Sequence, residues 1–228
     1  MRRAGPQAPA ARRWYRGAAM ICVVDYGCGN LFSINRALDV LNIDHIVSDD
    51  PETVAKSGRI LFPGVGTFGE AMALIRGRGL LDALQEVADK GGQIVGICLG
   101  AQLLMSRGFE YGEHDGLDLI PGEVHRLPEP AGPTGTRIPN IGWRKVDAKP
   151  GYGDLNVLRA APYFYFVHSY GVRCTDPADV KGTINVNGAE VPAIIGKGNL
   201  WGFQFHPEKS GRVGLQLLDQ TLNRRHKT

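Results

Sequence analysis

The pentapeptide Gly96-Ile97-Cys98-Leu99-Gly100 constrains this chain more than any other feature. It ends an apolar run over 93–97 and passes straight into helix-forming residues. A strand that becomes a helix across one residue, with glycine on both sides, is the form of a nucleophile elbow. Such a turn puts its central side chain at the carboxyl end of a sheet strand, and so implies an α/β architecture. The bend holds Cys98 in a strained conformation, and the following helix turns its free N–H groups toward the sulfur, which favours the reactive thiolate. A buried structural cysteine is the bland alternative.

The surrounding pattern agrees with that architecture. Strand-like runs at 21–25, 45–48, 59–62 and 93–97 alternate with helical stretches. The first helix carries Ile34, Ala37, Leu38 and Leu41 on one face, with Ser33 as its expected cap. The next helical stretch runs to about residue 88 and is weakened at Gly77 and Gly79. A further helix is expected after Cys98, through Leu103 and Met105. Alternation of this kind predicts a central, mostly parallel sheet flanked by helices. Residues 127–139 hold four prolines and read as a surface loop. Strand-like runs at 163–167, 180–186, 191–195 and 200–205, with little helix between them, predict antiparallel strand additions in the C-terminal half. Leu215, Leu218 and Leu222 mark a closing helix.

Composition narrows the function class. With 43% hydrophobic and 21% charged residues the chain has enough apolar material for a core and is not of disordered type. It has no apolar run long enough to span a bilayer as a helix. The net charge of +3 misleads, because residues 1–19 contain five arginines and no acid, which leaves −2 for the rest. A basic body that would grip nucleic acid is therefore not expected. Residues 1–19 read as a disordered or spurious extension, with translation starting at Met20 and a single domain over 20–228. Cys22, Cys28, Cys98 and Cys174 form no C-x-x-C pair, which suggests a reducing compartment. The six histidines show no metal-ligand spacing, so no metal site is expected.

A thiolate needs a base, and Phe205-His206-Pro207-Glu208-Lys209-Ser210 offers one. In an extended segment His206 and Glu208, two apart, point the same way. Glu208 then holds one imidazole nitrogen and leaves the other for Cys98, a Cys–His–carboxylate triad. A third segment, Pro63-Gly64-Val65-Gly66-Thr67-Phe68-Gly69, imitates a dinucleotide loop. The acid such a loop requires at the end of the next strand is missing, for Cys98 occupies that place. The better reading is an oxyanion loop in which the N–H groups of Val65 and Gly66 join that of Leu99.

Taken together these segments resemble the class I, triad-type glutamine amidotransferases, and most closely the glutaminase subunits of imidazole glycerol phosphate synthases. The resemblance also rests on Tyr26-Gly27-Cys28-Gly29-Asn30, on Ile141-Gly142-Trp143 and on Phe166-Val167-His168-Ser169-Tyr170. It implies that Cys98 attacks the side-chain amide of glutamine, that His206, oriented by Glu208, moves the protons, and that a glutamyl thioester is hydrolysed. It implies further that Gly64, Gly66, Gln102, Ser169 and Tyr170 hold the glutamine. Asn30, Trp143, Tyr165 and Lys209 match positions at an interface with a (β/α)₈-barrel synthase subunit, although Trp143 and Tyr165 read equally well as core aromatics. Released ammonia would pass into that cytoplasmic partner and enter histidine biosynthesis, with no cofactor. The chain departs from the family pattern at Asn140, where His is usual, and at Arg144, where Asn is usual. Those departures leave open a paralogous role, supplying ammonia for amidination of a surface-polysaccharide sugar. A cysteine peptidase and a non-catalytic regulatory subunit are the remaining alternatives; the His-Pro-Glu segment speaks against the first and the intact triad against the second.

Overall fold

The structure, a computed structural model, describes residues 20–132, 134–150, 155–160 and 162–223. The reading of residues 1–19 lies outside the described residues. The chain opens with β1 (Ile21–Val24), α1 (Leu31–Val40), β2 (His45–Ser48), α2 (Pro51–Ser57), β3 (Arg59–Gly64), α3 (Phe68–Gly77), α4 (Leu80–Asp89), β4 (Gln93–Cys98) and α5 (Leu99–Leu103). It continues through β5 (Met105–Gly108), β6 (His114–Asp115), β7 (Ile120–Arg126), β8 (Asn140–Lys145), β9 (Asp147–Ala148), β10 (Tyr163–His168), β11 (Tyr170–Cys174), β12 (Val180–Val186), β13 (Ala189–Lys197) and β14 (Leu200–Phe203), and closes with α6 (Gly211–Leu222).

Eight strands form the central sheet in the order β2-β1-β3-β4-β14-β13-β12-β9. The first five are mutually parallel, and β13, β12 and β9 extend them antiparallel, as the change of pattern in the second half predicts. Successive strand residues point to opposite faces. Ile21, Val23, Leu61 and Val95 therefore join one core with Ile34 and Leu38 of α1 and Leu217 and Leu218 of α6. Cys22, Val24, Ile60 and Ile94 join the other with residues of α2, α3, α4 and α5. Both faces are covered, which is why these strands read as near-continuous apolar runs.

Several boundaries differ from expectation. Asn30, not Ser33, caps α1: its side chain accepts from the Ser33 N–H at 3.2 Å. The weak stretch at Gly77 and Gly79 is a true break, with Gly79 left-handed between α3 and α4. Helix α5 stops at Leu103 because Met105 enters β5, part of a four-stranded sheet, β11-β7-β5-β6, that the alternation did not foreshadow. Helix α2 was also missed, although Asp50 as cap, Pro51 at its first turn and left-handed Gly58 at its end are ordinary helix signals.

Candidate active site

Three segments leave the carboxyl end of adjacent parallel strands. Gly64 of β3 is paired with Cys98 of β4, and Phe203 of β14 with Ile97. Crevices beyond the carboxyl ends of parallel strands are where ligands bind in open α/β sheets.

Cys98 has φ 55° and ψ −114°, a conformation rare for any residue with a side chain. Neighbouring glycines make this bend sterically feasible. A Cβ on Gly100 would lie 1.8 Å from the Phe62 carbonyl oxygen, and one on Gly96 would lie 2.6 Å from that of Gly100. On the oxyanion loop, Gly66 has φ +106°. A Cβ on Gly64 would meet the Tyr26 hydroxyl at 2.3 Å and the Gly100 nitrogen at 2.8 Å. The N–H of Val65, expected on the oxyanion loop, donates to the Cys28 carbonyl at 3.4 Å in this arrangement. Backbone polar groups near a sheet edge take a partner when no ligand supplies one.

His206 is 3% exposed. Its Nδ1 lies 2.8 Å from Glu208 Oε1, and its Nε2 is buried with no hydrogen-bond partner among the described residues. Glu208 reaches the imidazole through a 3₁₀ turn over Pro207–Lys209, not by alternation along a strand, because β14 already ends at Phe203. Burial works against the imidazolium. The Cys98 and Glu208 side chains favour it more strongly, and His206 is raised to about 9. Cys98 and His206 line one cavity, so these sequence-distant members of the candidate triad come to one place.

A cavity of about 340 Å³ opens beside them. Its lining includes Val65, Gly66, Cys98, Leu99, Gln102, Ser169, Tyr170 and His206, which brings together most of the residues singled out from sequence. Gln102 is held from behind, its Nε2 donating to the Tyr170 carbonyl at 3.0 Å and to Gln204 Oε1 at 2.9 Å. Gly64 lies apart from this lining, in a narrow crevice with Asn30, His206 and Glu208. Glu110 was missed by sequence reading and lines the main cavity. Its carboxylate accepts the Phe68 N–H at 2.8 Å and so occupies the start of α3, where a dinucleotide phosphate would have sat. Nothing local in the sequence marks Glu110, because only the packing of the β5–β6 connection against α3 delivers it. A larger hollow of about 760 Å³ lies at the far edge of the central sheet, around Lys149, Lys181 and Glu190, and includes none of the triad candidates.

Strands β8 and β10 pair antiparallel into a ribbon, and Val167 and His168 of β10 line the cavity. Trp143 is 51% exposed and meets Tyr165 edge-on, ring centres 6.1 Å apart, which places Trp143 on the surface and not in the core. Lys209 is also exposed. Tyr165 is tied to the histidine loop: its carbonyl accepts the His206 N–H at 3.0 Å, and its N–H donates to Ser210 Oγ at 3.0 Å. Within this ribbon Arg144 Nε donates to Asn140 Oδ1 at 2.8 Å.

The family model for "Glutamine amidotransferase class-I" matches residues 22–223. The chain belongs to the class-I glutamine amidotransferases. It is 45% identical over 202 residues to a protein of Moorella thermoacetica named imidazole glycerol phosphate synthase subunit HisH, covering 87% of this chain and 91% of that one. A protein of the same name from Chlorobaculum tepidum is 41% identical over 202 residues, covering 87% of this chain and 97% of that one. Among solved structures, one described as a glutamine amidotransferase superposes with a TM-score of 0.66 at 19% identity, covering 88% and 97% of the two chains. The PurLQS structure from Thermotoga maritima gives 0.66 at 20% identity, covering 91% and 99%. At these identities the structural likeness speaks for the fold. As a class-I amidotransferase the chain is an enzyme.

Proposed function

We propose that the chain is the glutaminase subunit of an imidazole glycerol phosphate synthase. The observation that carries this reading is the His206–Glu208 pair at 2.8 Å, its imidazole lining a cavity of substrate size together with the elbow cysteine. Cys98 passes its proton to His206 Nε2 and attacks the side-chain amide carbon of glutamine. Glu208 steadies the imidazolium through Nδ1. The tetrahedral oxyanion takes the Leu99 N–H, and the Val65 N–H as well once that group leaves the Cys28 carbonyl. His206 returns the proton to the departing nitrogen, ammonia leaves, and water hydrolyses the thioester to glutamate. Gln102, Ser169 and Tyr170 orient the substrate, while the Glu110 carboxylate supplies the negative charge that the α-ammonium group of glutamine takes.

Ammonia is consumed in a (β/α)₈-barrel partner docked against Asn30, Trp143, Tyr165 and Lys209, in the cytoplasm. The exposed Trp143 and Lys209 support that surface. The names of relatives at 41% and 45% identity support the histidine pathway over the polysaccharide-sugar alternative. Among the described residues no helix is long and apolar enough to cross a membrane.

The test is glutamate release by the purified chain with its barrel partner and acceptor, compared with Cys98→Ala. An electrophilic glutamine analogue should label Cys98 and spare Cys22, Cys28 and Cys174. Burial raises the thiols of Cys22 and Cys174, the second to about 12. Undiminished glutamate release by Cys98→Ala, or label spread over all four cysteines, removes Cys98 from this role.

A further inference from the structure

A second set of buried polar groups lies beside the triad and takes no part in the steps above. Asn140 and His168 face each other across the β8–β10 ribbon, and both are buried. Asn140 Nδ2 and His168 Nε2 are 2.9 Å apart, and His168 Nδ1 is 2.8 Å from the Tyr170 carbonyl oxygen. Arg144 closes the outer end through its 2.8 Å bond to Asn140 Oδ1. The inner end is the Tyr170 carbonyl, which also accepts Gln102 Nε2.

Donor and acceptor chemistry gives this line one direction. A guanidinium only donates, so Asn140 Oδ1 must accept and Asn140 Nδ2 must donate. His168 Nε2 is then the acceptor, and the ring proton sits on Nδ1, from which it goes to the Tyr170 carbonyl. That arrangement needs a neutral ring. Burial holds His168 down to about 4, opposed by its bond to the Tyr170 carbonyl and aided by the positive charges of His206 and Arg144. The Tyr170 oxygen receives two donors and Gln204 Oε1 the remaining Gln102 N–H. Both N–H groups of the Gln102 amide are thereby committed, and its oxygen is left to the cavity that Gln102 lines.

We propose that Arg144, acting through Asn140 and His168, is a positioning residue for glutamine. The relay holds the Tyr170 carbonyl, and through it the Gln102 amide, so that Gln102 Oε1 is presented to the substrate. Arg144 is not part of the cavity lining, so its effect is transmitted through the two side chains between. The proposal rests on the glutaminase reading of this cavity and adds to it a route from the outer ribbon to the substrate.

The experiment uses the full chain with its barrel partner. Arg144→Ala and Asn140→Leu should raise the KM for glutamine about tenfold while kcat stays within about threefold, the loss of one charge-assisted or buried hydrogen bond. Arg144→Lys, which still only donates, should recover most of the affinity. In nitrogen-15-labelled protein the His168 ring should show the neutral Nδ1–H tautomer, and Arg144→Ala should turn it into a mixture. Should Asn140→Leu fail to fold, the Arg144→Ala and Arg144→Lys pair decides the matter. An unchanged KM with only a lowered melting temperature overturns the proposal, as does an Nε2–H tautomer in the unaltered chain. If the unaltered chain releases no glutamate, the functional reading fails by itself. Glutamine titrated calorimetrically into Cys98→Ala, with and without Arg144→Ala, then decides the relay: equal affinities overturn it, and an affinity about tenfold weaker with Arg144→Ala supports it.

Discussion

Cys98 and His206 come to one cavity from the neighbouring parallel strands β4 and β14, and different forces hold them. The cysteine is held by main chain. Its left-handed conformation survives because Gly96 and Gly100 let the entering strand and the leaving helix lie against each other, and β3 close behind, with no room for a Cβ. The histidine is held by side chains and long-range bonds. Glu208 takes its Nδ1, Ser210 Oγ donates to its carbonyl at 2.6 Å, and the Tyr165 carbonyl accepts its N–H. The difference teaches that the proposed nucleophile can be written into five consecutive residues, whereas its proposed base is assembled from segments some forty residues apart.

Substitutions can test that contrast. The largest effect should come from Gly100→Ala. With the Phe62 carbonyl 1.8 Å from the new Cβ, β3 and α5 must separate, so a loss of about 3 kcal/mol or more is expected in urea unfolding. A loss below about 1 kcal/mol means the elbow is looser than its geometry implies. Glu208→Gln should lower kcat about a hundredfold, since the amide no longer favours the imidazolium. Retained kcat breaks the claim that side chains set up the base.

The two cavity histidines should move stability in opposite directions with pH. His168 is depressed to about 4 in the fold, so the unfolded chain binds the extra proton. Its contribution is intact above the ordinary value near 6.5 and declines as pH falls toward about 4, by about 2 kcal/mol at about pH 4.5. His206 is raised to about 9, so its contribution is intact below about 6.5 and is lost as pH rises through about 9. Unfolding free energies of the unaltered chain, His168→Gln and His206→Gln across that range separate the two. A flat difference curve for either variant contradicts its assigned shift. The smallest effect should be that of Asn30→Ala. Losing the cap on the Ser33 N–H lowers stability by about 1 kcal/mol in thermal unfolding, while the elbow stays intact.

Expectation and structure part along the same line. Strand–helix alternation up to Cys98 was legible because both faces of β1, β3 and β4 are buried and α1, α3 and α4 each show one apolar stripe. The four-stranded sheet around β7 was not, since its short strands pair across segments that carry no strong period of their own. Helix α2 was legible and overlooked: its cap, proline and left-handed glycine stand in plain order.

At the site, residue types and glycine positions already determined the elbow, because the steric limits on its backbone act between residues close in sequence. They also determined that a histidine and a carboxylate two residues apart would form a pair, though a 3₁₀ turn and not a strand brings them together. Tertiary structure alone decided the rest. It set Glu110 on the cavity, gave the Val65 N–H to Cys28, turned Trp143 outward, and joined Arg144 to Tyr170 through Asn140 and His168. Those outcomes depend on which distant groups pack together and on burial leaving each polar atom to find a partner, and no local run of residues specifies either.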